Sequence, residues 1–200
     1  MELFERNPLQ NILPEDGQVS YYGVIMSPDQ AAYYFDQLLH HIEWKHDEAV
    51  IYGKHYITKR KVAWYGDEPY DYSYSNTTKQ ALPWTSELLF LKKLVEDTSG
   101  HTFNSCLLNL YHEGSEGMAW HSDGEKMLGN QPIISSFTLG AERKFSFKHK
   151  QSKQTVNIHL ENGSLLIMKG DTQRNWLHRL PPTKKVTKPR ISLTFRTIIS

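Results

Sequence analysis

The sequence predicts an α+β chain, mainly β, whose second half forms a sandwich or jelly roll. Two observations carry this. After Gly100, seven short apolar-rich segments recur with turn signals between them. Before it, two segments place apolar residues at helical spacing. Two hundred residues suffice for one domain with a sizeable core, and neither repeats nor low-complexity stretches divide them. We expect a single domain over 1–200. In it, about 1–100 supply support and a lid, and about 101–200 supply the jelly-roll core.

The elements follow in order. Pro14-Glu15-Asp16-Gly17 is a turn signal, and Val19 to Met26 fits an edge strand. Ser27 is a good N-cap and Pro28 sits where its missing N–H costs nothing. Ala31, Phe35, Leu38, Leu39 and Ile42 then form a helical stripe that packs against a sheet. From Val50 to Tyr74 the pattern becomes short and aromatic: Val50-Ile51-Tyr52-Gly53, then Val62 to Asp67, then Tyr70 to Ser75, with Lys59-Arg60-Lys61 among them. This is either a β meander with a solvated charge run, or a lid whose basic and aromatic side chains hold phosphates and stack bases. A second helix is expected from about Trp84 to Asp97, with Leu88, Leu91, Leu94 and Val95 on one side and Ser99-Gly100 stopping it. The strands expected after it are Phe103–Tyr111, Ile133–Leu139, Lys144–Lys148, Thr155–Leu160, Ser164–Lys169, Trp176–His178 and Ile191–Ile198. Gly140-Ala141-Glu142 and Glu161-Asn162-Gly163 form turns between them.

Composition sets bounds. A net charge of +1 excludes a polybasic tail protein but permits a local basic groove. A lone cysteine, Cys106, allows neither an internal disulfide nor a cysteine-built zinc site, so a reducing compartment is expected. No secretory signal or membrane-length apolar run is visible. The expected location is intracellular, cytoplasmic in a bacterium and nuclear in a eukaryote.

The chemistry centres on His121-Ser122-Asp123. In an extended strand, alternate side chains share a face, so His121 and Asp123 can reach one metal ion together. The third ligand is taken to be His178, which follows a strand pattern and precedes Pro181-Pro182. Two imidazoles and one carboxylate leave coordination positions open, which suits non-haem Fe(II) better than a closed structural site. The last strand adds Arg190, Ser192, Thr194 and Arg196 on one face, with Ile191, Leu193 and Phe195 on the other. Its polar face either meets solvent or grips a carboxylate through a guanidinium. On Leu107–Tyr111, Asn109 and Tyr111 again share a face, as hydrogen-bonding groups for a small polar ligand or as a wet strand face.

Taken together, Asn109-x-Tyr111, His121-x-Asp123, His178 and Arg190-x-Ser192-Leu193-Thr194-Phe195-Arg196 resemble the AlkB family of Fe(II)- and 2-oxoglutarate-dependent nucleic-acid dealkylases. Tyr65-Gly66-Asp67, Tyr72-Ser73-Tyr74-Ser75, Phe145 to Lys150, Gly163 to Met168 and Leu180 to Val186 extend the likeness over roughly residues 50–199. It looks closest to the branch that repairs duplex DNA.

The resemblance implies a double-stranded β-helix of the jelly-roll or cupin kind, flanked by two N-terminal helices and a nucleotide-recognition lid. His121, Asp123 and His178 would hold the catalytic iron. Arg190, assisted by Tyr111, would pair with the distal carboxylate of 2-oxoglutarate, and Asn109 and Arg196 would contact its metal-binding end or Asp123. Ser192 departs from the family's usual Asn, so one cosubstrate hydrogen bond is lost or passes through water. Tyr72 and Tyr74 match a base-cradling hairpin and Glu125 a carboxyl that meets the exocyclic amine of the damaged base. Tyr52 matches a wedge that fills the gap left by a flipped base.

The implied activity is oxidative demethylation of bases such as 1-methyladenine and 3-methylcytosine in DNA or RNA. Fe(II), 2-oxoglutarate and O2 would serve as cofactor and cosubstrates, alkylated nucleic acid as partner, and a monomer as the working form. The alternatives are a 2-oxoglutarate oxygenase acting on a protein or small molecule, and a non-catalytic nucleic-acid binder on the same fold.

Overall fold

The computed structural model describes residues 10–51, 54–74 and 77–199, and for 49–51, 54–56, 71–74 and 77–79 the backbone alone. The first half holds β1 (Gln18–Val24), α1 (Pro28–His41), β2 (Lys45–Ile51), β3 (Lys54–Gly66), β4 (Asp71–Tyr74), β5 (Thr77–Gln80), β6 (Leu82–Pro83) and α2 (Ser86–Ser99). The second holds β7 (Ser105–Tyr111), β8 (Met118–His121), β9 (Ile134–Gly140), β10 (Arg143–His149), β11 (Thr155–Leu160), β12 (Ser164–Lys169), α3 (Thr172–Asn175), β13 (Trp176–Leu180) and β14 (Arg190–Arg196).

Two sheets face each other. The larger runs β1-β12-β9-β14-β7-β3-β2, with β6 beside β3, and the smaller runs β11-β10-β13-β8. The second half of the chain thus supplies four strands to each layer, as in a jelly roll. Strands from the first half extend the larger sheet at both ends. β4 and β5 form a separate two-stranded ribbon.

Period two along β14 decides the layering. Ile191, Leu193 and Phe195 are fully buried in one cluster with Leu38 of α1 and Leu88, Leu91 and Val95 of α2, so both helices cover that face. The second cluster lies between the sheets and joins Val19, Tyr111, Ile134 and Met168 of the larger to Phe147, Leu160, Trp176 and Leu180 of the smaller. The polar side of β14 therefore looks into the sandwich, not into solvent.

α1 begins as its sequence directs. The Ser27 hydroxyl accepts the Gln30 N–H and the Gln30 side chain accepts the Ser27 N–H, a complete capping box. α2 ends at Gly100, whose φ of 72° is the left-handed value that glycine adopts without strain.

Three expectations change. α2 starts at Ser86, not Trp84, because Leu82-Pro83 pairs with β3, the Trp84 indole donates to Asp67, and Thr85 takes the cap. The Lys59-Arg60-Lys61 run and the piece read from Val62 belong to one continuous 13-residue strand, β3, while Val50-Ile51 end β2 and Asp71–Tyr74 form β4. Alternation splits the charge run by side, with Lys59 exposed and Arg60 buried. The strands after Gly100 number eight, not seven. The missed one, β8, is an edge strand of four residues held by pairing with β13, and carries no alternation of its own. Gly117, just before it, lacks a side chain because a Cβ would overlap the Leu180 carbonyl oxygen.

Leu193→Ala is expected to cost between about 2 and 5 kcal/mol in urea denaturation, since a cavity would open under both helices. Val24→Ala, at a half-exposed edge position, is expected to stay within about 0.5 kcal/mol.

Candidate metal and cosubstrate site

His121 and His178 meet because their strands pair in register at these two residues. Their rings lie 4.2 Å apart, centroid to centroid, at 63°. Asp123 reaches them differently from the expectation. β8 ends at His121, and Asp123 lies beyond it in irregular chain, at the centre of a tight turn closed by Gly124 N–H donating to the Ser122 carbonyl, 3.1 Å. Shared strand face is therefore not what aligns His121 with Asp123. The ligand atoms of His121, Asp123 and His178 nonetheless all lie within 4.8 Å of one another, the one such group among the described residues.

Electrostatics prepare the three for a cation. The Nδ1 of His121 lies 2.8 Å from the Ala119 carbonyl oxygen, which requires its proton there and leaves Nε2 as the free lone pair. Burial pushes the His178 imidazole down to about 4, against the pull of Asp123, so it is neutral near pH 7 as a metal ligand must be. Burial raises the Asp123 carboxyl, but Arg196, His178 and His121 together hold it below its usual value. Arg196 Nη2 donates to Asp123 Oδ1 at 3.1 Å, and Oδ2 faces His178 Nε2 at 3.6 Å, so one carboxylate oxygen is engaged and the other points into the site.

These groups border a cavity of about 950 Å³ that also reaches Asn109, Tyr111, Ser192, Thr194, Arg196 and Glu125. The register across β9, β14 and β7 explains the gathering. Ser192 is paired with Asn109 on one side and Thr138 on the other, and Arg190 with Tyr111 and Gly140. Arg190 is not on the cavity wall. It is 2% exposed, directly opposite Tyr111. Its Nη2 donates to Thr138 Oγ1 at 2.9 Å, while Nε and Nη1 have no partner among the described residues. Burial pushes this guanidinium down to about 10, still charged near pH 7. A buried cation with two idle donors fits the absent carboxylate of 2-oxoglutarate, which would take both.

The remaining sequence candidates divide. Glu125 stands by the site: Oε1 accepts from Arg196 Nη1 at 3.4 Å, while Oε2 is buried without a partner among the described residues. Tyr72 and Tyr74 alternate along β4 in the separate ribbon, paired with Lys79 and Thr77. Tyr52 lies outside the described residues. Sequence reasoning missed Thr138, the partner of Arg190, and Gln173, whose side-chain oxygen accepts the Asp123 N–H at 2.9 Å. It also missed Arg60 as a wall residue, ion-paired with Asp47 and 2.7 Å from the Met118 sulfur. Only register could have revealed Thr138, and nothing local marks Gln173.

Two outcomes follow for the cosubstrate. Arg190→Met removes an incompletely paired buried charge, so the ligand-free protein is expected to be at least as stable in urea. By calorimetry its 2-oxoglutarate affinity should fall roughly 10- to 150-fold, the worth of a charge-assisted pair. Ser192→Asn should instead tighten 2-oxoglutarate binding by about tenfold, one restored hydrogen bond, and an unchanged affinity would remove Ser192 from the cosubstrate contacts.

Comparison with known proteins agrees with this geometry. Residues 18–196 match the 2OG-Fe(II) oxygenase superfamily. The chain is 38% identical over 191 residues to the Homo sapiens alpha-ketoglutarate-dependent dioxygenase alkB homolog 3, covering 90% of this chain and 66% of that protein. It is 33% identical over 205 residues to the Mus musculus DNA oxidative demethylase ALKBH2, covering 97% and 86%. It spans between 60% and 66% of the length of the alkB homolog 3 proteins it matches. The solved structure of OsALKBH1 superposes with a TM-score of 0.62 at 17% identity, covering 92% of this chain and 98% of that one, a likeness of fold. With the superfamily matched almost end to end and a third or more of its residues shared with alkB homologues, this chain belongs to the AlkB family of 2OG-Fe(II) oxygenases, whose cofactors are Fe(II), 2-oxoglutarate and O2.

Proposed function

We propose that this chain oxidatively demethylates N-alkylated bases such as 1-methyladenine and 3-methylcytosine in DNA or RNA, as a monomer. The observation that carries the reading is the pairing of His121, Asp123 and His178 with an unsatisfied carboxylate oxygen, Glu125 Oε2, on the wall of the same cavity. Relatives named DNA oxidative demethylase support the substrate class. The first hundred residues contribute β1, β2 and β3 to the sheet that carries Asn109 and Arg190, which supports reading 1–200 as one domain.

Bound iron, with 2-oxoglutarate and O2, would supply the oxidising power to hydroxylate an N-methyl group. The protein's own part is positional. His121, Asp123 and His178 would hold the iron, and Arg196 keeps Asp123 ionised and turned. Arg190, Tyr111, Asn109 and Ser192 would fix 2-oxoglutarate at one end of the polar row. Methylation on a pairing ring nitrogen makes the base cationic and weakly paired, so it is extruded at lower cost. Glu125 would meet its exocyclic amine, and Tyr72 and Tyr74 would stack on it, while Tyr52 would fill the gap in the duplex. The hydroxymethyl group would then leave as formaldehyde, the C–N electron pair returning to the ring nitrogen and the hydroxyl proton passing to solvent, which restores the neutral base.

The test is formaldehyde release from 1-methyladenine in single-stranded and duplex oligonucleotides with Fe(II), 2-oxoglutarate and ascorbate. Release is expected to require the cosubstrate and to vanish in His121→Ala. Affinity for the oligonucleotide should fall steeply with salt, because phosphate contacts release counterions. Succinate formation without formaldehyde on either strand would point instead to a protein or small-molecule substrate. Binding without succinate would point to a non-catalytic role.

A further inference from the structure

Asp123 poses a positioning problem. It lies past the end of β8, in Ser122–Glu125, which has no regular backbone pairing. The turn that presents it uses the Gly124 N–H and the Ser122 carbonyl, which leaves the buried Asp123 N–H to be satisfied from elsewhere. Gln173 satisfies it. Its Oε1 accepts that N–H at 2.9 Å, and its Nε2 points at the Met168 sulfur, 3.5 Å away, an arrangement that keeps the oxygen towards Asp123.

Gln173 is itself held from two sides. It is 5% exposed in α3, and the preceding residue, Thr172, anchors that turn through its hydroxyl, which accepts from the Gln18 N–H at 2.8 Å and donates to the Lys169 carbonyl at 2.6 Å. Lys150 spans both partners: its Nζ donates to the Gln173 carbonyl at 2.9 Å and lies 3.3 Å from Ser122 Oγ. One ammonium thus ties the turn carrying Gln173 to the turn carrying Asp123.

We propose that Gln173, braced by Lys150, is a positioning residue that sets the metal affinity of the site by fixing the backbone of Asp123. The inference rests on reading His121, Asp123 and His178 as the metal ligands. Arg196 acts on Asp123 Oδ1, so it can turn the carboxylate about its side-chain bonds but does not hold the main chain. The Gln173 oxygen does the second task. Without it a buried N–H loses its partner, and the turn reorganises to reach water or another acceptor, moving Oδ2 from the two imidazoles.

The test is titration of Co(II) alone into the full chain, following affinity by calorimetry and geometry by visible absorption, with thermal melts of the metal-free proteins. Gln173→Leu keeps the bulk but not the acceptor. It should bind Co(II) about 10- to 100-fold more weakly and with an altered spectrum, the loss expected when the orienting partner of a ligand is removed. Gln173→Glu keeps an oxygen acceptor and should return affinity to within about threefold of wild type.

A Leu variant that melts lower but binds Co(II) with wild-type affinity and spectrum would overturn the proposal, since Gln173 would then be structural only. Failure of the Glu variant to recover would do the same. If the Leu variant does not fold, Lys150→Met decides. It leaves Gln173 in place but removes its brace, and it should weaken Co(II) several-fold; unchanged affinity there would also overturn the proposal. Wild-type protein that takes up no Co(II) would remove the metal reading itself, a different result from a bound metal indifferent to Gln173.

Discussion

Everything in this structure hangs on the alternation of β14. It is the middle strand of the larger sheet, with three strands on either side in the main path. Its odd-numbered residues, Ile191, Leu193 and Phe195, anchor α1 and α2. Of its even-numbered ones, Ser192, Thr194 and Arg196 line the cavity, and Arg190 lies buried at the end of the same polar row, opposite Tyr111. A slip of one residue would put two guanidiniums under the helices and three large apolar groups into the cavity. Register on this strand is accordingly specified from both faces at once, and pairing with β7 over seven residues and β9 over six holds it.

The interior of the sandwich carries an electrostatic cost. Arg190 is buried with two donors idle, and Ser105, Arg143 and Arg196 also hold buried polar atoms without partners among the described residues. Each such group costs about 1–3 kcal/mol relative to a satisfied one. Arg143 offsets part of this by donating from one nitrogen to the carbonyls of Gly114, Glu116 and Pro181, which fastens the loops flanking β8 and β13. Arg190 has only its bond to Thr138. A core that tolerates an incompletely paired cation at its centre is suited to a ligand that arrives carrying the opposite charge.

The two halves of the site are built by different means. The imidazoles are set by strand pairing, a rigid device, because His121 and His178 are cross-strand neighbours. The carboxylate is set by a turn and by side chains from β14 and α3, elements distant in sequence. Small displacements of α3 therefore bear on Asp123 more than on either histidine. Gln18 of β1 touches that same helix through Thr172, so the edge of the larger sheet is mechanically linked to the loop carrying the carboxylate.

Much of this was legible without coordinates. The Ser27 cap, the Gly100 stop, the two faces of β14 and the His-x-Asp signal are short-range patterns, written within a few residues of where they act. The sequence by itself determined most of the elements, the metal-binding residue types and the two faces of β14, because period and capping depend on local sterics. Only the tertiary structure decided that this face points inward, that β8 exists as an edge strand, that Asp123 is presented by a turn instead of a strand, and that Thr138 and Gln173 complete the site. Those facts depend on contacts between residues some 50 positions apart, as with Asp123 and Gln173, and no local pattern encodes which distant oxygen a buried N–H will find.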